Sequence, residues 1–74
     1  MREIIDDFYG EASHWETKIS AEEAATSFIK HAENPENTYI ETEKEFYGKS
    51  DLDDLRNALE NEEITFMVVY DDER

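Results

Sequence analysis

The chain contains no cysteine. That excludes a disulfide scaffold, a thiolate metal site and a cysteine nucleophile, and it suits a reducing cytosol. No apolar run approaches the length of a membrane span. The opening Met1-Arg2-Glu3-Ile4-Ile5-Asp6-Asp7 turns acidic before a signal-type apolar stretch can form, so the expected location is the cytoplasm. With only two glycines in 74 residues, there is little loop freedom for an enclosed pocket. Basic residues are scarce, 7 Lys and Arg against 21 Asp and Glu, for a formal net charge of -14. Small domains usually carry about 2–8 net charges. Such a surplus destabilises the compact state by self-repulsion. It also disfavours direct binding to nucleic acid or to an anionic membrane, and favours basic surfaces.

High net charge with low hydrophobicity is also the mark of disorder. Against that, aromatics make up 12% of the residues, and the apolar positions are periodic. Adaptation to a salty cytoplasm is a second explanation for the charge. Lys18, Lys30, Lys44 and Lys49, together with several large aromatics, fit it less well.

The length allows one domain over residues 1–74 with one modest core; the acidic tail from Asp71 to Arg74 reads as frayed. Ala21, Ala24, Ala25, Phe28, Ile29 and Ala32 share one stripe at helical spacing, which predicts a helix from Ala21 to Glu33. Ser20 and Glu23 form a capping-box pattern before it, Ile19 and Ala24 occupy the staple positions, and Asn34-Pro35 ends it. Leu52, Leu55 and Leu59, with Ala58 beside them, predict a second helix from Asp51 to Glu60, with Ser50 as N-cap after the break at Gly48. Thr38 to Tyr47 alternates as one strand, with Ile40, Thr42, Lys44 and Phe46 on one face and Tyr39, Glu41, Glu43, Glu45 and Tyr47 on the other. Ile64 to Tyr70 has the composition of a central strand. Trp15, Thr17 and Ile19 suggest a short strand before the first helix. The first ten residues suit either a helix or a strand. Phe-Tyr-Gly at 8–10 recurs at 46–48, where it ends a strand, and this tilts the first copy toward a strand. The expected fold is α+β, a small two-layer sandwich of about three to four strands against two helices. The helices would cover one sheet face, leaving the other solvated and acidic or packed on a second copy.

Nothing in the sequence assembles a catalytic site. His14 and His31 lie outside any motif that pairs a nucleophile with a base, and each reads as an ordinary surface or boundary residue. No nucleophile elbow, phosphate loop or dinucleotide fingerprint is present. An enzyme and a cofactor are both unexpected. Asp51-Leu52-Asp53-Asp54 has the composition of a calcium loop but not its spacing, glycine or distal Glu; first-turn acids favour the positive end of a helix dipole instead. No metal site is assigned.

The acidic faces carry the most information. On one strand, Glu41, Glu43 and Glu45 would stand about 6.6–6.8 Å apart on the same side, with Lys44 pointing away. Like charges in a row oppose sheet stability. A regular carboxylate array can stand in for a line of phosphates before a protein that binds DNA through lysine and arginine. On the second helix, Asp53, Asp54, Asn57 and Glu60 lie off the leucine stripe and extend the negative surface. Tyr39 and Tyr47 flank the glutamates as aromatic anchors, with Trp15 a further candidate for the same surface; such residues dominate interface hot spots.

In size, charge and acidic strand and helix faces, the chain resembles the small acidic DNA-mimic proteins of bacteriophages. The resemblance covers the whole chain and contains no motif. It implies an inhibitor in the host cytoplasm that occupies the DNA-binding surface of a basic host protein, such as a nucleoid-associated protein like HU, a restriction or CRISPR effector, or a repair enzyme. Locally, Tyr47-Gly48 followed by Leu52-Asp53-Asp54-Leu55-Arg56-Asn57-Ala58-Leu59 is similar to the barstar stretch that enters its ribonuclease partner. Asn57 stands where barstar-like proteins have a second aspartate, and the spacing from Gly to Leu is one residue longer. That resemblance implies an immunity protein neutralising a basic nuclease. A third reading is an acidic structural domain without a specific basic partner. The sequence also leaves room for a homodimer, since the core is small. The partner-binding residues expected on the first reading are Glu41, Glu43, Glu45, Asp51, Asp53, Asp54 and Glu60, with Tyr39 and Tyr47.

Overall fold

The computed structural model of the protein describes residues 2–10, 14–60 and 62–73. The chain runs through β1 (Arg2–Tyr9), α1 (His14–His31), a 3-10 turn (Pro35–Asn37), β2 (Thr38–Glu41), β3 (Phe46–Tyr47), a 3-10 helix (Lys49–Leu59) and β4 (Thr65–Asp71). The fold is α+β, with a four-stranded sheet in the order β1-β4-β2-β3 and every neighbouring pair antiparallel. β1 and β2 therefore run parallel, are joined by α1 and are separated by β4, a split β-α-β arrangement. Among the described residues, no helix is long and apolar enough to cross a membrane.

β4 is the central strand its composition predicted. Phe66 and Val68 point into the core between their neighbours. Cross-strand partners share a face, so the register sorts the sheet into two sides. Asp6, Val68, Ile40 and Tyr47 form one row across all four strands, and Phe8 pairs with Phe66 on the same side. The Ser27 hydroxyl of α1 donates to Asp6 Oδ2 at 3.1 Å, which places α1 over this side. Leu55 and Ala58 of the 3-10 helix join the same core. The register of β1 shifts between Ile4 and Asp6. This bulge directs Ile5 and Asp6 toward the core side in succession.

α1 packs closely because its inner face is small. Thr17, Ser20, Ala21, Ala24, Ser27 and Phe28 are its buried positions. Helix propensity and this stripe carry α1 back to His14, so the strand expected at Trp15, Thr17 and Ile19 is helix. Ser20 is a buried position inside α1, not a cap, and the capping box with Glu23 does not form there. Ile29, expected on the buried stripe, is 75% exposed. The side chains of His14, Trp15 and Leu59 lie outside the described residues. Lys30 and His31 end α1, where cations favour the negative pole of the helix.

The strand expected from Thr38 to Tyr47 is two strands joined by a turn. Its cause is Thr42, whose Oγ1 accepts from the backbone N–H groups of Lys44 at 3.3 Å and Glu45 at 2.9 Å. A threonine hydroxyl that captures nearby amides competes with the sheet ladder. After this turn the alternation reverses: Phe46 faces outward and Tyr47 inward. Both copies of Phe-Tyr-Gly end strands, since β1 ends at Tyr9 and β3 at Tyr47, and of the ambiguous first ten residues Arg2–Tyr9 are strand. The second helix begins at Lys49 and has 3-10 geometry. Gly48, not Ser50, is its cap residue. Runs of this geometry beyond 3–4 residues are uncommon. Asp71, expected in the tail, closes β4 opposite Arg2.

Candidate functional site

The expected partner-binding residues separate into those with structural duties and those left facing solvent. Glu41, Glu43 and Glu45 do not form a ladder, because the turn at Thr42 removes the latter two from β2. Glu41 is half-buried and ion-paired with Arg2. The Glu43 carboxylate accepts from the N–H of Ile64 at 3.1 Å and of Thr65 at 2.6 Å, closing the entry to β4. Desolvation pushes the Glu43 carboxyl up, but the hydrogen bonds it accepts outweigh that and hold it below the ordinary carboxylate value.

Tyr47 is 3% exposed and cannot anchor a partner. Its hydroxyl donates to Glu63 Oε2 at 2.8 Å, and the Thr42 hydroxyl donates to Glu63 Oε1. Glu63 is fully buried. Burial, then the neighbouring Glu63 carboxylate and the Glu45 charge, push the Tyr47 phenol well above its ordinary value. Tyr39 is half-buried, with its hydroxyl 3.5 Å from the Glu36 carbonyl. Its ring flanks Gly48, where a β-carbon would lie 3.8 Å from it.

The remaining acids gather around the 3-10 helix. Asp51 Oδ2 accepts from the Gly48 N–H at 3.2 Å, and the Asp51 N–H donates to the Gly48 carbonyl at 2.9 Å. This reciprocal pair fixes the helix start while leaving Asp51 exposed. Glu45, Phe46, Tyr47, Asp51, Asp54 and Asn57 line one shallow depression. The structure thus brings together Glu45, Asp51 and Asp54, which the sequence had assigned to two separate elements. Asp53 projects elsewhere, onto a groove against α1 that it shares with Lys18, Glu22, Leu52 and Arg56. Glu60 is exposed at the far end of the helix. Among the described residues, no group of His, Asp and Glu is arranged to hold a metal ion.

The sheet face expected to be left open by the helices is a second surface, and its exposed apolar residues Ile4, Tyr9 and Phe46 were not among the expected site residues. No described element covers the sheet face opposite the helices. It presents the row Asp7, Met67, Glu41 and Phe46 and the row Ile4, Val69 and Tyr39. Ile4 is 54% exposed, Tyr9 63% and Phe46 49%. Arg2 on β1 reaches Glu41 on β2, so its side chain spans β4. Val69 lies on that diagonal and is 1% exposed although it faces away from the helices. The sequence signal for this face was the outward phase of β4 at Met67 and Val69, masked by the near-continuous apolar run of that strand. No protein family, no curated protein and no solved structure matches the chain.

Proposed function

We propose that the protein is an acidic inhibitor that docks on the nucleic-acid-binding surface of a basic protein and takes the place of the phosphates there. The observation that supports this reading most is the exposure of Asp51, Asp53 and Asp54 on one short helix and of Glu60 just after it, with Glu45 joined to Asp51 and Asp54 in one depression. These carboxylates face solvent, whereas Glu41 is paired with Arg2 and Glu43 holds the amides of Ile64 and Thr65. Carboxylates that replace phosphates release the same counterions, so the complex should weaken steeply with salt.

The test is capture from a nuclease-treated bacterial lysate on the immobilised protein, with release by a salt gradient or by duplex DNA. A basic nucleic-acid-binding protein released by both is the expected outcome. The variant Asp53→Lys, Asp54→Lys, Glu60→Lys should fold and lose that partner. If it retains full affinity, or if DNA does not compete, the reading fails. Capture of a nuclease whose active site the protein plugs would favour the immunity reading in its place.

A further inference from the structure

The uncovered sheet face leaves several large apolar side chains in contact with solvent. Ile4, Tyr9 and Phe46 stand exposed on it, with Met67 and Tyr39 half-buried between them. Exposed large apolar side chains bordered by polar groups mark an interaction site; here Met67 and Glu41 stand in the register between the strand of Ile4 and Tyr9 and that of Phe46. The border of this face is acidic: Asp7 and Glu41 lie in the same row as Met67 and Phe46, and Asp71 closes the far end. Among the described residues, the register places the cation Arg2 on it, and Arg2 is paired with Glu41. Phe46 also lines the depression that holds Glu45, Asp51 and Asp54, so this face and the carboxylates of the 3-10 helix adjoin along one edge.

The charge selects the occupant. A second copy would bring another chain of net charge -14 onto the same acidic border, and self-association through a two-fold would place like charges together. Nucleic acid and anionic lipid are repelled for the same reason. A basic protein segment that interleaves lysine or arginine with large apolar side chains fits both features. We propose that the open sheet face, centred on Ile4, Tyr9, Tyr39, Phe46 and Met67, is a docking surface for such a basic, aromatic-bearing segment. The inference rests on the reading that this protein's carboxylates draw a basic partner, and adds where that partner's apolar side chains go.

Two synthetic peptides of equal positive charge test it, one alternating lysine with tryptophan and the other lysine with serine. Each is titrated into the 15N-labelled protein at low salt. The tryptophan peptide should bind about tenfold tighter or better, in line with the weight of aromatic anchors at interfaces. It should shift the amides of Ile4, Tyr9, Tyr39 and Met67. The variant Ile4→Ser with Phe46→Ser, its fold checked by the dispersion of its own amide spectrum, should lower that affinity to the level of the serine peptide. Equal affinity for the two peptides, or shifts confined to residues 49–60, overturns this inference and leaves the acidic-docking reading standing. Absence of saturable binding by either peptide overturns both. A dimer in sedimentation equilibrium that the same variant dissociates would assign the face to a second copy and overturn the proposed occupant.

Discussion

Glu63 sits fully buried among apolar side chains, held by the hydroxyls of Tyr47 and Thr42. Burying a carboxylate is unfavourable unless its oxygens are satisfied, and these two hydroxyls supply that satisfaction while tying the hairpin to the residues before β4. Tyr47→Phe keeps the ring and removes one donor. It should cost about 1–3 kcal/mol, the penalty for leaving a buried acceptor short of a partner, read as a lower urea midpoint at unchanged slope. The same variant should change the alkaline limb of stability. The folded-state phenol titrates above its ordinary value of 10.0. Its contribution is therefore fully present below about pH 10 and fades as the pH rises beyond it. At this scale the sequence was least informative. Nothing distinguishes Glu63 from its neighbour Glu62 in the string of letters. The difference arises because Glu62 turns the chain at φ 59° and the next side chain enters the core.

Among the elements, the 3-10 helix concentrates the available charge, and Asp51 does two things there. Its carboxylate secures the backbone of Gly48 and also contributes to the acidic depression. The two roles separate by substitution. Asp51→Asn retains an oxygen to accept from Gly48, so thermal stability should stay within about 0.5 kcal/mol of the parent, the usual range for surface changes. Binding to a basic partner should weaken because the charge is gone. Asp51→Ala removes the cap as well and should lose about 0.5–1.5 kcal/mol, the net value of one hydrogen bond. The helices and the central strand were legible from apolar spacing, because burial imposes that spacing directly. The extent of α1 was not: Trp15, Thr17 and Ile19 alternate like a strand, and only packing of Thr17 and Ser20 against the sheet decides for helix. The break at Thr42 was invisible for a related reason. No glycine, proline or asparagine stands there, and the turn depends on one hydroxyl.

Across the whole molecule, the net charge of -14 acts in opposite directions on folding and on association. Screening relieves self-repulsion within the fold and weakens attraction to a basic partner. Raising NaCl from about 0.01 M to about 0.15 M shortens the Debye length from about 30 Å to about 8 Å. The thermal midpoint should rise over that interval while affinity for the basic partner falls. A midpoint that stays flat or drops would show that self-repulsion is not a main term in this fold's stability. This expectation rests on composition alone. The apolar character of the open face depends on the register of β1, β4 and β2, which no local pattern encodes.

The position of β4 has a kinetic consequence. Of the four strands of this sheet, β1 is synthesised first and its partner β4 last, and β2 waits for that same strand. A nascent chain that has not yet supplied Thr65–Asp71 can form the helix and the small hairpin, but nothing links β1 to them through the sheet. Closure then brings together Arg2 and Asp71, near opposite ends of the chain. Such distant pairing slows folding, because a long loop must close before any contact rewards it. Until that moment Phe66 and Val68 have no core to enter, and the abundant carboxylates of the unfinished chain are what keep its copies apart.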